Sequence, residues 1–451
     1  MQFVRALRRL WRHRLFRRLL AVRVAAQSSD GLLQVALASF VLFSPQRQPG
    51  AASIATVLAI TLLPFSIVGP FVSVLLDRWS RRQVLLVVDI CRAVLVLCLA
   101  ALALTGVGTS GLMVVFYGGV LLAMSLNRFV LAALSSALPH TIDADEYLVA
   151  NSVVPTVGPA GALVGAGIGA TGRLVLGGLV PANIADACLF GLAGCGFVVS
   201  AVLSARIGRN QLGPDDAEPA HPKDVVLGLV GALCHLRSRS PAALGLLTIG
   251  AHRIIFGIVT VAMILVYRLS FHSLDQVDAA LGDLALYGGI TGAGFVVASI
   301  LTPPVAQRIG VRAMMIIALV AAGVFQAVPG AILQRVPILI GGFLLGLAAQ
   351  CMKICVDTLV QAYVGDEFKG RVFVLYDMIF NVAFVIAALI GAFILPADGR
   401  SVPILVVLAV LYLVVALFFA FASGRIGTAA FNRGRSIGEP DDAGISRPGT
   451  S

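Results

Sequence analysis

The stretch Gly69–Arg82, GPFVSVLLDRWSRR, interrupts two apolar segments with a short turn that is rich in cations. One apolar run ends at Asp77, the turn carries Arg78, Arg81 and Arg82, and a second apolar run begins at once. A basic turn between two segments of membrane length is typical of the cytoplasmic side of a membrane. The turn therefore predicts an integral membrane protein and gives the reference point for its topology.

The composition of the whole chain agrees with this interpretation. Hydrophobic residues make up 59% of the 451 residues and charged residues only 12%, about half of what a soluble protein carries. Soluble, disordered and nucleic-acid-binding proteins are therefore excluded, and we interpret the net charge of +11 as loop charge that faces anionic lipid. The seven cysteines contain no CxxC pair, so we expect no disulfide framework, no metal site and no cofactor.

Twelve segments are apolar over about 20 residues, the length that a membrane-spanning helix needs. They lie at 19–43, 51–76, 83–105, 111–138, 148–171, 180–204, 241–268, 281–305, 312–333, 336–361, 371–396 and 402–423. The basic loops alternate with loops that carry few cations, which predicts that both termini are cytoplasmic. A multi-pass protein of the cell membrane is expected.

The spans fall into two sets of six. A basic N-terminal segment (1–18) precedes a first bundle (19–204), and a polar linker (205–240) leads to a second bundle (241–423) and a polar tail (424–451) that we expect to be disordered. The N-terminal segment is interpreted either as an amphipathic helix on the inner leaflet or as a solvated basic tail. The second half of the linker is apolar enough for a helix at the membrane surface.

The two halves repeat each other weakly. Asp77–Arg82 after the second span corresponds to Gln307–Arg312 after the eighth, where the cations remain and the acid is lost. Asp145–Glu146 after the fourth span corresponds to Asp366–Glu367 after the tenth. Two six-span halves joined by a linker are the architecture of secondary transporters that work by rocking.

With these motifs the sequence resembles the major facilitator superfamily, whose loop between spans two and three reads Gly-x-x-x-Asp-Arg-x-Gly-Arg-Arg. Here Ser73 and Ser80 replace the two glycines, while the acid and the arginines match. Gly365–Val372 resembles the pattern after span ten of drug and siderophore exporters, whereas Gly158–Ala162 only approximates the antiporter motif of span five. The resemblance implies an all-α membrane protein with twelve transmembrane helices in two pseudo-symmetric six-helix bundles, and transport by alternating access.

A charge inside a membrane span is costly and marks a functional candidate, and we assign five ionisable residues of the spans to the transport pathway. They are Asp30, Arg128, His252, Arg253 and Lys353. All but His252 occupy nearly equivalent positions in the two halves. The resemblance implies that the spans carrying them line one central pathway for protons and substrate.

We hypothesise that Asp30 takes up the coupled proton and that Arg128 modulates it, because burial favours the neutral acid and a nearby cation favours the carboxylate. A static Asp–Arg pair that fixes helix packing is the alternative. His252 is interpreted either as a second titrating group or as a structural histidine bonded to a neighbouring helix.

A second group of charged residues is expected to close the cytoplasmic side of the cleft in the outward-open state. This conformational latch would join the turn after span two, an i, i+3 pair in span three and the helix end after span ten. Its members are Asp77, Arg78, Arg81, Arg82, Asp89, Arg92, Asp366, Glu367 and Arg371.

The predicted function is secondary active transport, a proton-coupled export of small amphipathic molecules by a monomer. The cations in the pathway outnumber the acids, which favours anionic or zwitterionic substrates. Uncoupled or inward transport stays open, as do two other classes, a membrane enzyme and a non-transporting receptor or scaffold. Against the enzyme, no loop carries a catalytic cluster, and the chain has no Walker A pattern for ATP-driven transport.

Overall fold

The computed structural model describes residues 11–42, 51–67, 71, 80–105, 110–142, 147–208, 211–212, 222–273 and 276–431. Thirteen α-helices account for most of these residues. They are α1 (Arg14–Leu42), α2 (Ala51–Ile67), α3 (Arg81–Leu104), α4 (Ser110–Ala137), α5 (Tyr147–Gly177), α6 (Ala182–Ala205), α7 (Pro222–Ser238), α8 (Ser240–Leu265), α9 (Val277–Ile309), α10 (Val311–Ala331), α11 (Arg335–Tyr363), α12 (Asp366–Ile394) and α13 (Val402–Ile426). Short 3₁₀ turns follow α4 and α13, and a π-helical turn extends α8.

Apolar length explains why these segments are helices. Within the described residues, nine helices are long and apolar enough to cross a membrane; α1, α2, α7 and α10 are not among the nine. Helix α1 falls short in apolarity because its middle carries the polar run 27–30, QSSD. A backbone in lipid must satisfy its hydrogen bonds internally, so long apolar segments of this kind fold as helices.

Local signals set several helix ends. The Ser80 side chain accepts a hydrogen bond from the Gln83 backbone amide and begins α3, and Ser401 does the same for α13 through Ile404. Gly310, at φ 89°, ends α9 and lets α10 begin at the next residue, because a left-handed backbone is accessible to glycine.

The same packing scheme occurs twice. In the first half, α1 packs against α5 and α6, α3 packs against α4 and α6, and α2 packs against α4. In the second half, α8 packs against α12 and α13, α10 packs against α11 and α13, and α9 packs against α11. Each contact in one half has its counterpart in the other, so the all-α fold with two pseudo-symmetric six-helix bundles is confirmed.

The halves meet mainly through two helix pairs. Helix α2 packs extensively against α12, and α5 packs more sparingly against α9. The Ser66 hydroxyl donates to the Met378 carbonyl oxygen at 3.4 Å across the larger contact. The molecule is therefore joined mainly along one side of the cleft between its halves.

Small residues allow the closest helix contacts. Helix α5 approaches α1 so tightly that a Cβ on Gly165 would collide with the Ser28 backbone carbonyl. The Ser28 hydroxyl donates to the Gly161 carbonyl oxygen at 2.9 Å in the same contact. In the second half, Gly346 of α11 meets the Thr291 backbone of α9 in a similar way. Close backbone approach through small residues is a common mode of helix association in membranes.

Helix α7 lies between the two sets of six and packs against α12. The His235 ring stacks on Phe368 with centroids 4.4 Å apart, and its Nε2 accepts from the Gly365 backbone amide at 3.4 Å. The linker therefore contains a helix that is attached to the second half. The tail beyond Phe431 and residues 1–10 lie outside the described residues.

Two faces of the bundle are distinguished below. The basic face is the end at which α1, α3, α8 and α10 begin and α6 and α13 end. It carries the exposed cations Arg14, Arg206 and Arg239 and the half-buried cations Arg82 and Arg312. The opposite face is the end at which α6 begins, where the Asn183 side-chain amide donates to the Leu104 carbonyl oxygen at 3.0 Å.

Candidate functional site

A fully buried charge cluster occupies the first half. Arg92 of α3 forms an ion pair with Asp30 of α1 and a second with Asp89 of its own helix, the latter at 3.4 Å. The side chains of all three are at most 2% exposed. Ser200 of α6 donates to the other oxygen of Asp89 at 2.6 Å, and the Gln27 amide donates to Asp30 at 3.2 Å. The cluster ties α1, α3 and α6 together around one cation.

A second charge cluster lies in the second half. Lys353 and Asp357, one turn apart on α11, form an ion pair at 2.8 Å. Both interact electrostatically with Asp377 of α12. The Lys353 side chain is 39% exposed and that of Asp357 is 27% exposed. Asp377 interacts electrostatically with Arg128 of the first half as well, so this cluster lies near the boundary between the halves.

Arg128 of α4 joins the two clusters. It lies close enough to Asp30 in its own half and to Asp377 in the other half to interact electrostatically with both. The result is a line of seven groups whose charges alternate in sign along the way from α3 to α11. In order, they are Asp89, Arg92, Asp30, Arg128, Asp377, Lys353 and Asp357. Arg128 and Asp377 are the two members of this line that face each other across the halves.

Arg253 of α8 has aromatic rather than acidic neighbours. Its guanidinium carbon lies 3.7 Å from the ring centre of Phe380 and 4.5 Å from that of Phe384, both on α12. A guanidinium over aromatic faces keeps its charge while being shielded from water. It can also present its remaining donors to an anion in the cleft.

His252 is 1% exposed and lies beside the rings of Phe256 and Tyr412. Within the described part of the chain, neither ring nitrogen has a hydrogen-bond partner. This differs from the structural alternative in the sequence analysis, which expected a bond to a neighbouring helix. The ring packs here as an apolar group.

The residues expected to form a latch lie in three different places. Asp77 and Arg78 are outside the described residues, and the structure gives only the backbone of Asp366 and Glu367. Asp89 and Arg92 belong to the buried cluster, well inside the protein, and not to the basic face where we expected them. Their burial follows from the pairing of Arg92 with Asp30, which draws the guanidinium towards α1.

Arg81 and Arg82 contact the first half and the beginning of the linker. Arg81 contacts the His140 ring and donates to the Leu212 carbonyl oxygen at 2.8 Å, and Arg82 donates to the Ala205 carbonyl oxygen at 3.1 Å. Arg371 packs against Gly228 of helix α7. In the described residues, then, the turn contacts the beginning of the linker and the start of α12 contacts the linker helix.

Sequence reasoning missed two features of the site. It assigned Arg128 as the partner of Asp30 and paired Arg92 only with Asp89. Both Asp30 and Arg92 lie more than ten residues into helices that begin at the same face. It also overlooked a buried group near the opposite face. There Arg173 contacts both Ser39 and Asp186, at 2.8 and 3.4 Å, and Ser39 donates to Asp186 at 2.6 Å.

Two six-helix halves around a cleft with charges in its middle are the arrangement of a membrane transporter. The chain belongs to the major facilitator superfamily. The model of that family matches residues 245–435. Relatives named as uncharacterized MFS-type transporters in Mycobacterium bovis and Mycobacterium tuberculosis are each 34% identical over 422 residues, which is 93% of this chain and 93% of theirs.

Solved structures with low sequence identity share the fold. The nucleoside transporter NupG superposes with a TM-score of 0.65 at 13% identity, covering 91% of this chain and 99% of its own. A peptide transporter POT in complex with sulfate superposes with a TM-score of 0.67 at 14% identity, covering 93% and 95%. The protein is thus a membrane transporter of the MFS type.

Proposed function

We propose that the protein is a proton-coupled exporter of small amphipathic molecules that works by alternating access. The observation that carries this proposal is the line of seven alternating charges across both halves. It contains four carboxyl groups and three cations, so one carboxyl group has no cation of its own. In a site of low polarity this excess negative charge favours the uptake of one proton.

Asp30 is the proposed proton carrier. It stands between Arg92 on the buried side and Arg128 on the cleft side. If rocking of the halves separates Arg128 from Asp377, Arg128 turns wholly to Asp30 and stabilises the carboxylate, which releases the proton. If Arg128 turns to Asp377 instead, Asp30 keeps only the cation that it shares with Asp89, and protonation becomes easier. The movement of the halves and the protonation of one carboxyl group are coupled in this way.

The proposed substrate is anionic or zwitterionic and partly apolar. Arg253, held by Phe380 and Phe384, supplies a cation beside aromatic surface on one side of the cleft. Lys353, 39% exposed, supplies a second cation with its ammonium group 5.5 Å from the ring centre of Tyr376. A cation next to an aromatic face suits a molecule that carries a negative group on an apolar body.

The proposed orientation places the basic face in the cytoplasm of a cell whose plasma membrane holds the protein. Export is proposed from the exporter-like sequence Gly365–Val372. The turn residues Arg81 and Arg82 are proposed to help close this face indirectly, through the linker segment that Arg81 binds, because the second half holds the other part of the linker.

The test is transport by the purified full chain in proteoliposomes with an imposed pH gradient and a mixture of anionic and zwitterionic amphipathic metabolites. We expect Asp30→Asn to abolish accumulation driven by the gradient while exchange without a gradient persists. Asp186→Asn is the matched control, because Asp186 is equally buried in the same half but pairs with Arg173 away from the line of charges. Its coupling should equal that of the wild type.

Gradient-driven transport that survives Asp30→Asn unchanged would contradict the proposed role of Asp30. Flux that ignores the gradient in the wild type would show an uncoupled facilitator, and flux in the opposite direction an importer. Each result removes one part of the proposal and leaves the membership of the family unaffected.

A further inference from the structure

A groove on the basic face lies apart from the transport pathway. It is formed by the beginning of α1 and the end of α6 and has a volume of about 410 Å³. Four of its six lining residues are arginines: Arg14, Arg17 and Arg18 from α1 and Arg206 from α6. Ala21 and Leu203 supply apolar lining, and none of the described residues that line the groove is a carboxylate.

The second half contains a groove at the equivalent place. It is formed by the beginning of α8, the 3₁₀ turn that follows α13 and the end of α11, and its volume is about 370 Å³. Its lining includes one cation, Arg239, among Ser238, Ser240, Pro241, Tyr363, Ile426 and Ala430. The two grooves are similar in size but differ by three positive charges. The repeated fold explains why both halves have a groove of this size, whereas the cluster of four arginines occurs in the groove of the first half.

Three of the four arginines of the groove, Arg14, Arg17 and Arg206, are not needed to cap α6 with their side chains. Arg18 donates to the Arg206 carbonyl oxygen at 3.0 Å, and Arg82, outside the groove, donates to the Ala205 carbonyl oxygen. These two bonds satisfy the end of the helix. The side chains of Arg14, Arg17 and Arg206 are exposed, and all three line the groove.

The segments that form the groove also carry exposed apolar side chains. Trp11, three residues before Arg14, is 52% exposed, as is typical of tryptophan at a membrane interface. Val202 and Val198 continue the surface of α6 towards the middle of the membrane and are 48% and 44% exposed. An anion in the groove would therefore have an apolar surface directly below it for attached chains.

We propose that this groove binds the phosphoryl group of an anionic phospholipid, with the acyl chains along the exposed valines of α6. Guanidinium groups bind phosphate oxygens in pairs with good geometry, and four of them suit a phosphodiester better than a carboxylate. The site is asymmetric within the protein, so the lipid would attach to the first half and leave the second half free to move.

The experiment uses Trp11 as a reporter in the full chain in neutral detergent micelles. The chain has two tryptophans, and Trp79→Phe leaves Trp11 as the single one. Brominated phosphatidylglycerol, which quenches tryptophan, is titrated, and brominated phosphatidylcholine serves as the lipid without net charge. Each guanidinium near a membrane surface contributes roughly fivefold to the affinity for an anionic lipid.

We expect the triple variant Arg14→Gln/Arg17→Gln/Arg206→Gln to raise the half-saturating concentration of phosphatidylglycerol at least tenfold. The matched control Arg239→Gln, in the equivalent groove, should change it less than twofold. Size-exclusion chromatography checks the fold, and the double variant Arg14→Gln/Arg17→Gln, in which both side chains are exposed, replaces the triple variant if that variant aggregates.

Equal quenching in the wild type and the variants would overturn the proposal, as would equal quenching by phosphatidylcholine in the wild type. A further arm adds inorganic phosphate at millimolar concentration. Displacement of the lipid under these conditions would assign the groove to soluble phosphate and overturn the lipid as its occupant. Undiminished lipid quenching in phosphate supports the lipid.

Discussion

Replacement of Arg92 by methionine tests the buried cluster most directly. Arg92→Met keeps much of the side-chain volume but removes the cation that both Asp30 and Asp89 contact. Removing one partner of a buried ion pair costs about 3–5 kcal/mol, because the remaining charge stays in a medium of low polarity. The loss of the guanidinium over Phe197, 3.9 Å from its ring centre, adds roughly 1 kcal/mol. We therefore expect a loss of about 4–6 kcal/mol in the free energy of unfolding.

A double-mutant cycle tests the shared cation by the sign of the effect that Asp30→Asn has on the free energy of unfolding in two backgrounds. In the wild type, Asp30→Asn leaves Arg92 paired with Asp89 and should cost about 2 kcal/mol for the lost charged hydrogen bond. In the Arg92→Met background, Asp30 and Asp89 repel each other without the cation that they shared, so removing the charge of Asp30 should stabilise the protein. We expect an interaction energy of at least about 2 kcal/mol between the two sites.

The assay is equilibrium unfolding in mixed micelles with increasing sodium dodecyl sulfate, followed by circular dichroism. Arg425→Met, at an exposed arginine near the end of α13, is the control and should change the free energy of unfolding by less than about 0.5 kcal/mol. If Asp30→Asn destabilises the Arg92→Met protein as much as it destabilises the wild type, the two sites are independent. That result would refute the shared buried cation.

The remaining predictions concern packing, the cleft and the basic face. Gly165→Ala should lower the free energy of unfolding by several kcal/mol in the same assay because of the close approach of α1, whereas Gly167→Ala, where a Cβ meets nothing within 4 Å, should leave it nearly unchanged. Arg128→Asp should abolish gradient-driven flux in proteoliposomes, and the exchange of charges in Arg128→Asp/Asp377→Arg should restore part of it; no recovery would contradict their contact across the halves. Arg81→Ala should increase the labelling of a cysteine reporter in the cleft by a maleimide added from the basic face, and unchanged labelling would count against a role of this turn in closure.

The fold could be predicted because it depends on apolar length and on the positions of the interruptions. Twelve apolar segments and a basic turn are properties of the chain itself, and the lipid environment leaves a long apolar segment few alternatives to a helix. The helix ends were less predictable. Helix α1 begins at Arg14, five residues before the predicted span, because its first turn is stabilised by contacts on the basic face such as that of Arg18 with Arg206.

The charge pairs could not be predicted in the same way. A span gives the depth of a residue in the membrane but not the rotation of its helix about its axis, and that rotation decides which neighbour a side chain meets. Asp30 and Arg128 were selected by depth and by equivalence between the halves. Arg92 was set aside as part of a local pair, although its long side chain reaches from α3 to α1. The electrostatic interaction of Arg128 with Asp377 depends on how the halves come together, which no local sequence pattern records.

Helix α1 carries Asp30 and is not among the nine helices that, in the described part of the chain, are apolar enough to span a membrane by themselves. This has a consequence for biogenesis. An unpaired aspartate or arginine in the middle of a helix raises the cost of insertion by the translocon by roughly 2.5–3.5 kcal/mol. The cation that offsets Asp30 lies 62 residues later in the chain, so it leaves the ribosome well after α1 does. We therefore expect α1 to be held at the translocon until α3 arrives, and the first half of the protein to enter the bilayer as a group of helices rather than one by one.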